Sequence, residues 1–168
     1  MLSWRMVIVG LFYCCIKTSV VRCQTKALFP AASRVRRGLT TELNPTFHNS
    51  FSDAHLLFEI LVTGIHFEPN GEFSVEDPEL SSLPKTRHLD VICEEIIPKK
   101  LTNIFRLMTD LSNHNGRLHQ DDFERTLLTL VYITQQMANS TTEHQREAWA
   151  QTFVGLYKAI KKDLTLTD

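Results

Sequence analysis

Arg34-Val35-Arg36-Arg37, standing before Gly38, has the R-x-[K/R]-R form cut by subtilisin-like proprotein convertases. The acidic subsites of those proteases pair with guanidinium groups that stay charged at any physiological pH. Three basic residues at this spacing arise by chance about 0.2 times in a chain of this composition, so context has to add weight. It does: the motif follows Phe29-Pro30-Ala31-Ala32-Ser33, which has no amphipathic period, and precedes the first helix signals. Exposed segments of that kind are where proteolysis concentrates.

Two other positions suit covalent processing. Asn139-Ser140-Thr141 is an N-x-[S/T] sequon in a turn between two expected helices, where a glycan on Asn139 would face solvent. The cysteines depend on where a leader ends. Removal through Cys23 leaves Cys93 alone, whereas removal through Thr18 leaves Cys23 and Cys93, which could then form one internal bridge. Without a bridge, Cys93 reads as a small buried hydrophobe among Val91, Ile92, Ile96 and Ile97.

Metal and catalytic chemistry find little support. Asn113, Asn115, Gly116 and Leu118 occupy positions 3, 5, 6 and 8 of an EF-hand frame, but that frame puts Leu111 at position 1 and Asp122 at position 12. Without its first carboxylate and its bidentate glutamate, such a loop holds too little negative oxygen to dehydrate calcium, and Asp110 lies one residue out of frame. His114 with His119, and His55 with Glu59, lack further ligands at zinc spacing. No P-loop or G-x-S-x-G elbow is present, and nothing frames a Ser-His-Asp set. The expectation is a protein that is not an enzyme and needs no cofactor or metal.

The compartment comes from the first residues. A positive stretch to Arg5, the apolar run Met6 to Ile16 and the small and polar residues after it form the layout of a secretory signal. Eleven apolar residues reach about 16 Å as a helix, against a hydrocarbon core of about 30 Å, so the segment targets rather than spans. The division expected is a signal peptide over 1–23, a basic, flexible segment over 24–49 with a cut after Arg37, and a helical domain over 50–168. Residues 1–37 hold seven of the eighteen Lys and Arg and none of the nineteen Asp and Glu, which leaves residues 38–168 at −8. An acidic body argues against nucleic acid, heparin or an anionic membrane as main partner. The basic segment is expected to lie on that acidic body and mask part of it until it is cut.

The elements read as helical. Ser50 or Ser52 caps a helix to about Thr63 with a stripe of Leu56, Leu57, Ile60 and Leu61, ended by Gly64. Ile65–Glu68 and Glu72–Val75 alternate around Pro69-Asn70-Gly71 as a short hairpin, and Asp77-Pro78-Glu79 starts a short helix. Leu89 to Ile97 marks a helix stopped by Pro98, and Pro98 is expected at N1 of the next helix, which Asn115-Gly116 closes. Asp121 or Asp122 opens a helix to about Ala138. A last helix, capped by Ser140 with Glu143, carries Trp149, Phe153, Leu156 and Ile160. The sum is all-α, a single small bundle of four or five helices with a β-hairpin near 65–75.

Ala27-Leu28-Phe29-Pro30-Ala31-Ala32, Leu43-Asn44-Pro45, Ile97-Pro98-Lys99, Asp122-Phe123-Glu124-Arg125-Thr126 with Leu128-Thr129-Leu130, and Trp149-Ala150-Gln151 resemble the group called family with sequence similarity 180. The resemblance runs from about Ala27 to Leu164 and implies a small secreted protein; no catalytic residues carry over from it. The function expected is therefore that of a secreted, non-enzymatic helical protein acting by protein–protein interaction, a ligand for an extracellular or cell-surface partner. The alternative is a helical carrier that holds a hydrophobic small molecule between its helices.

Overall fold

The computed structural model describes residues 27–34, 46–68, 72–114 and 117–165. The signal segment, Cys23, Arg36, Arg37, the hairpin turn 69–71 and Asn115-Gly116 lie outside the described residues. Seven helices and one two-stranded ribbon form the described part: α1 (Pro30–Arg34), α2 (Phe51–Thr63), β1 (Ile65–Phe67), β2 (Phe73–Val75), α3 (Pro78–Ser82), α4 (Thr86–Val91), α5 (Leu101–Ser112), α6 (Gln120–Ala138) and α7 (Glu143–Thr165). Four of these helices exceed ten residues, so the mostly helical single bundle with a small hairpin is the observed fold.

The long C-terminal helices are its frame. α6 and α7 pack antiparallel along their length, joined by the tight turn at 139–142, and α5 also packs on α7. Met108 packs where Gly155 leaves room, since a Cβ there would come within 2.8 Å of its sulfur. Lys162 Nζ donates to Ser112 O at 3.3 Å and closes the end of α5. Leu118 N–H donates to the buried Asp163 carboxylate at 3.1 Å, tying the start of α6 to the end of α7. The core residues Leu107, Leu111, Leu128, Ile133, Leu156 and Ile160 recur at helical spacing, which is why these stretches coil and where they bury. Thr126, Thr129 and Thr152 share that buried surface because each hydroxyl donates to the carbonyl four residues earlier.

The ribbon pairs Ile65 with Val75 and Phe67 with Phe73. Two strands alone are marginal in water, and here side chains from helices finish them. Gln135 Oε1 of α6 accepts from Phe67 N–H, and Glu94 Oε1 accepts from Phe73 N–H, both at 3.0 Å. Ring contacts continue inward from Phe73 to Phe67, Tyr132 and Trp149, with successive centroids 5.4, 5.1 and 6.1 Å apart. Gly64 turns the chain from α2 into β1 with φ of +131°, a conformation open to glycine.

Several boundaries differ from the sequence expectation. α4 runs into a π-helical turn, Ile92–Ile96, closed by Ile97 N–H to Ile92 O at 3.0 Å. The wider turn lets Ile92, Cys93, Ile96 and Ile97 all bury, and Pro98 forces Ile97 into extended backbone. Pro98 is not N1 of the next helix, because α5 starts at Leu101 behind an extended Lys100. α6 begins one or two residues early, at Gln120, with Asp121 and Asp122 inside its first turn. Ser140 does not cap α7: its hydroxyl donates back to Gln136 O at 2.7 Å and finishes α6. Thr142 Oγ1 accepts from Gln145 N–H instead. Pro30–Arg34, read as lacking any amphipathic period, is a one-turn helix with Phe29 and Ala32 buried against the π turn.

Candidate interaction surface

α2 is a helix with apolar residues on two opposite faces. Its start is fixed twice: Ser50 Oγ accepts from Asp53 N–H at 3.2 Å, and the Asp53 carboxylate accepts from Asn49 N–H at 2.9 Å. Lys85 Nζ sits 2.6 Å from the same carboxylate. The Lys85 bond, then the Asn49 amide, lower the Asp53 pKa from 3.8 to about 2. Leu57 and Ile60 turn inward and are buried. Phe51, Phe58 and Val62, seven and four residues apart, turn the other way and remain 81%, 66% and 68% exposed. At 100° per residue they fall within one narrow stripe, opposite Ile60. His55 lies in the stripe, its ring 5.3 Å from that of Phe51. Single exposed apolar side chains are ordinary, but two phenylalanines and a valine in line along about three turns form a patch of the kind that marks contact sites.

The position of that stripe is set by α6. Glu124, buried in the fold, accepts from Phe47 N–H at 2.9 Å and His48 N–H at 2.7 Å, and so anchors the segment that leads into α2. Gln120 donates to His48 O at 2.7 Å and its amide also meets His48 Nδ1. Phe47 is fully buried, with Lys85 Nζ 5.5 Å from its ring centre. The neighbouring Arg125 is also buried, with a guanidinium nitrogen 3.4 Å from Asp122 and its carbon 5.9 Å from the centre of the Phe29 ring. Burial, outweighing the pull of Arg125, raises the Asp122 pKa. The Asp-Phe-Glu-Arg stretch is thus a clamp: Glu124 holds the entry to α2, and Arg125 lies under the N-terminal arm.

The residues singled out from sequence chemistry do not converge. Arg34 is exposed at the end of α1, and Arg36 and Arg37 lie outside the described residues. Asn139 is exposed at the C-terminal cap of α6, where an attached sugar would meet no packing. Cys93 is fully buried in the π turn, its thiol pushed well up by burial, while Cys23 lies outside the described residues. Leu111, the first position of the calcium frame, is a core residue, and Asp122 is turned to Arg125. Among the described residues no group of three His, Cys, Asp or Glu side chains could hold a metal ion. No described helix is long and apolar enough to cross a membrane. The outer face of α2 and the clamp were not foreseen. The 51/58/62 spacing carried the first in plain sight, whereas nothing local to Glu124 and Arg125 points to their distant partners Phe47, His48 and Phe29.

Comparison with known proteins gives these features a family. No solved structure matches the chain. Protein FAM180B from Homo sapiens is 26% identical over 111 residues, which cover 65% of this chain; the chain spans 61% of that protein's length. The profile of the FAM180 family matches residues 28–164, a stretch that starts with the arm over Arg125, includes the clamp and runs to the last turn of α7, and the chain belongs to the FAM180 family.

Proposed function

We propose that this is a secreted, non-enzymatic protein acting by protein–protein interaction, a ligand for an extracellular or cell-surface partner, and that the outer face of α2 is its contact surface. The observation that carries the reading is the exposed Phe51–Phe58–Val62 stripe on a helix whose opposite face is already buried. Exposed phenylalanines give nothing to folding, and each has about 150 Å² or more to bury against a partner. The compartment rests on the leader-like Met1–Cys23 stretch, and the exposed Asn139 suits glycosylation on that route. A carrier of hydrophobic molecules would use an enclosed apolar cavity; the groove beside the arm is open to solvent and rimmed by Arg34, Lys99, Lys100 and Arg106.

The test is saturable binding of the full secreted chain across diverse cell types, repeated with Phe51→Ser and Phe58→Ser. Both substitutions are on exposed positions and leave folding intact, so loss of binding reports the contact itself. Absence of saturable binding on every cell type, or binding untouched by both changes, would sink the reading.

A further inference from the structure

A second surface lies across the molecule's N-terminal arm. Between α1, the end of the π turn and α5 runs a groove of about 350 Å³. Its floor is apolar, made by Ile96, Ile97 and Leu107, and its wall is Leu28 and Phe29 of the arm. Four cations stand around it, Arg34, Lys99, Lys100 and Arg106, against two carboxylates, Glu95 and Asp110. This local excess of positive charge sits on a body whose residues 38–168 sum to −8. It also breaks a local rule. The first turn of α5 has no acidic residue and no side-chain cap, and Lys99 and Lys100 precede it at the positive end of the helix dipole. Lysine there opposes the dipole, and local inconsistency of this kind is found at functional sites. Lys99 is half-withdrawn from water, and that burial lowers its pKa against the pull of Glu94.

We propose that this groove binds a short acidic peptide segment of a protein partner, with carboxylates set on Lys99, Lys100, Arg106 and Arg34 and one apolar side chain on the Ile96–Leu107 floor. The shape and the charge select this occupant. A long polyanion such as nucleic acid, heparin or an anionic bilayer would extend past the groove onto acidic surface and be repelled there within the Debye length of about 8 Å. A small amphipathic acid would leave much of its surface in water, because the groove is open along its side. A peptide bridges both demands, since it needs only part of its length desolvated. The inference rests on the interaction reading but uses a different face, so the two can fail separately.

The experiment uses the full secreted chain and a fluorescein-labelled ten-residue peptide of Glu with a central Leu, followed by anisotropy. The acidic peptide is expected to bind saturably and about tenfold or more tighter than its Lys-for-Glu counterpart, with affinity falling between about 50 and 300 mM salt. Lys100→Glu with Arg106→Glu, both at exposed positions, should weaken binding about tenfold or more. Lys158→Glu with Lys161→Glu, the same charge change on the outer side of α7, should leave it within about twofold. Phe58→Ser should not alter it. No saturable binding, equal loss in both charge pairs, or tighter binding of a heparin oligosaccharide, phosphatidylserine vesicles or laurate through the same lysines would each overturn the proposal. Loss of peptide binding with Phe58-dependent cell binding intact would overturn this inference alone.

Discussion

Glutamate 124 offers the most direct way to test how the fold presents α2. Its carboxylate is buried and accepts two backbone N–H bonds, from Phe47 at 2.9 Å and His48 at 2.7 Å. Hydrogen bonds to a charged acceptor contribute about 1.5–3 kcal/mol each, and a buried donor left without one loses its hydration as well. In Glu124→Gln the side chain keeps its shape and one acceptor oxygen, but an N–H now faces the other backbone donor. The expected loss is about 2–4 kcal/mol, since one charged bond goes and the other becomes neutral. For a folded unit of this size that corresponds to a Tm lower by about 6–15 °C. The assay is thermal unfolding by circular dichroism together with amide hydrogen exchange. Exchange should accelerate first at Phe47 and His48 and then through the first turn of α2, with α6 and α7 changing only as global stability falls. A Tm lowered by less than about 2 °C with both amides still protected would refute the clamp.

Three further outcomes follow from single sites. Asp53 is held at about pKa 2 against an ordinary 3.8, so its contribution to stability is complete above about pH 4 and is lost as pH falls toward 2; Asp53→Asn should flatten the urea midpoint across that window and leave it sloped if other carboxylates are responsible. Gly64→Ala places a β-carbon at φ of +131°, where L side chains are strained even after the flexible Glu76 carboxyl swings aside, and should destabilise by about 1–3 kcal/mol, measured by urea unfolding, with Gly64→Asn no better if the strain is the cause. Cys93 is fully buried with a thiol pKa pushed well up, so iodoacetamide should label it at the rate of unfolding and not at that of a free thiol; fast labelling of the native protein would show that the π turn opens.

How far the sequence could be read depended on how local each signal was. The helices α2, α6 and α7, the Gly64 stop, the hairpin strands and the Asp77-Pro78 start are written in nearest-neighbour chemistry, and they are found within one to three residues. Pro98 misled because two rules compete at it: a proline can open a helix, but here it ends an extended connection and the helix waits for Leu101. The π turn lets Ile92, Cys93, Ile96 and Ile97 all face the core, where the arm and α6 pack against it, a demand set by tertiary neighbours and not by the helix itself. Glu124 and Arg125 were illegible for the same reason. Their partners, Phe47, His48 and Phe29, lie about 75 to 95 residues away in sequence, and only the tertiary fold supplies them. The exposed face of α2 was legible in spacing, yet the buried face of the same helix explained the apolar content well enough to hide it.

The arm itself yields the last prediction. The sequence suggested that a basic N-terminal segment would be drawn onto an acidic body, but the arm docks by Phe29 and Ala32, and its Arg34 stands beside Lys99, Lys100 and Arg106, charges of its own sign. What holds it can be counted. Burying Phe29 contributes about 1.5–3 kcal/mol and the Ala32 methyl about 0.8 kcal/mol. The Arg125 stacking adds about 0.5–2 kcal/mol. While the chain is continuous this suffices, because the arm is present at an effective concentration in the millimolar range. Once cut from the body it must bear the loss of translational and rotational freedom, about 4 kcal/mol at the least, which consumes most of the gain and leaves a Kd no tighter than millimolar. Treatment of the full chain with a convertase that cleaves after Arg37 should therefore release the arm at micromolar concentration. Size-exclusion chromatography with mass detection would find the body alone, and hydrogen exchange would show protection lost at Ile96, Ile97 and around Arg125. A Cys23–Cys93 bridge would keep the arm attached until reductant is added, which makes the comparison with and without reductant a test of that pairing. An arm that stays bound after both cutting and reduction would mean that its docking is stronger than its buried side chains account for, and the energetic reasoning would be wrong.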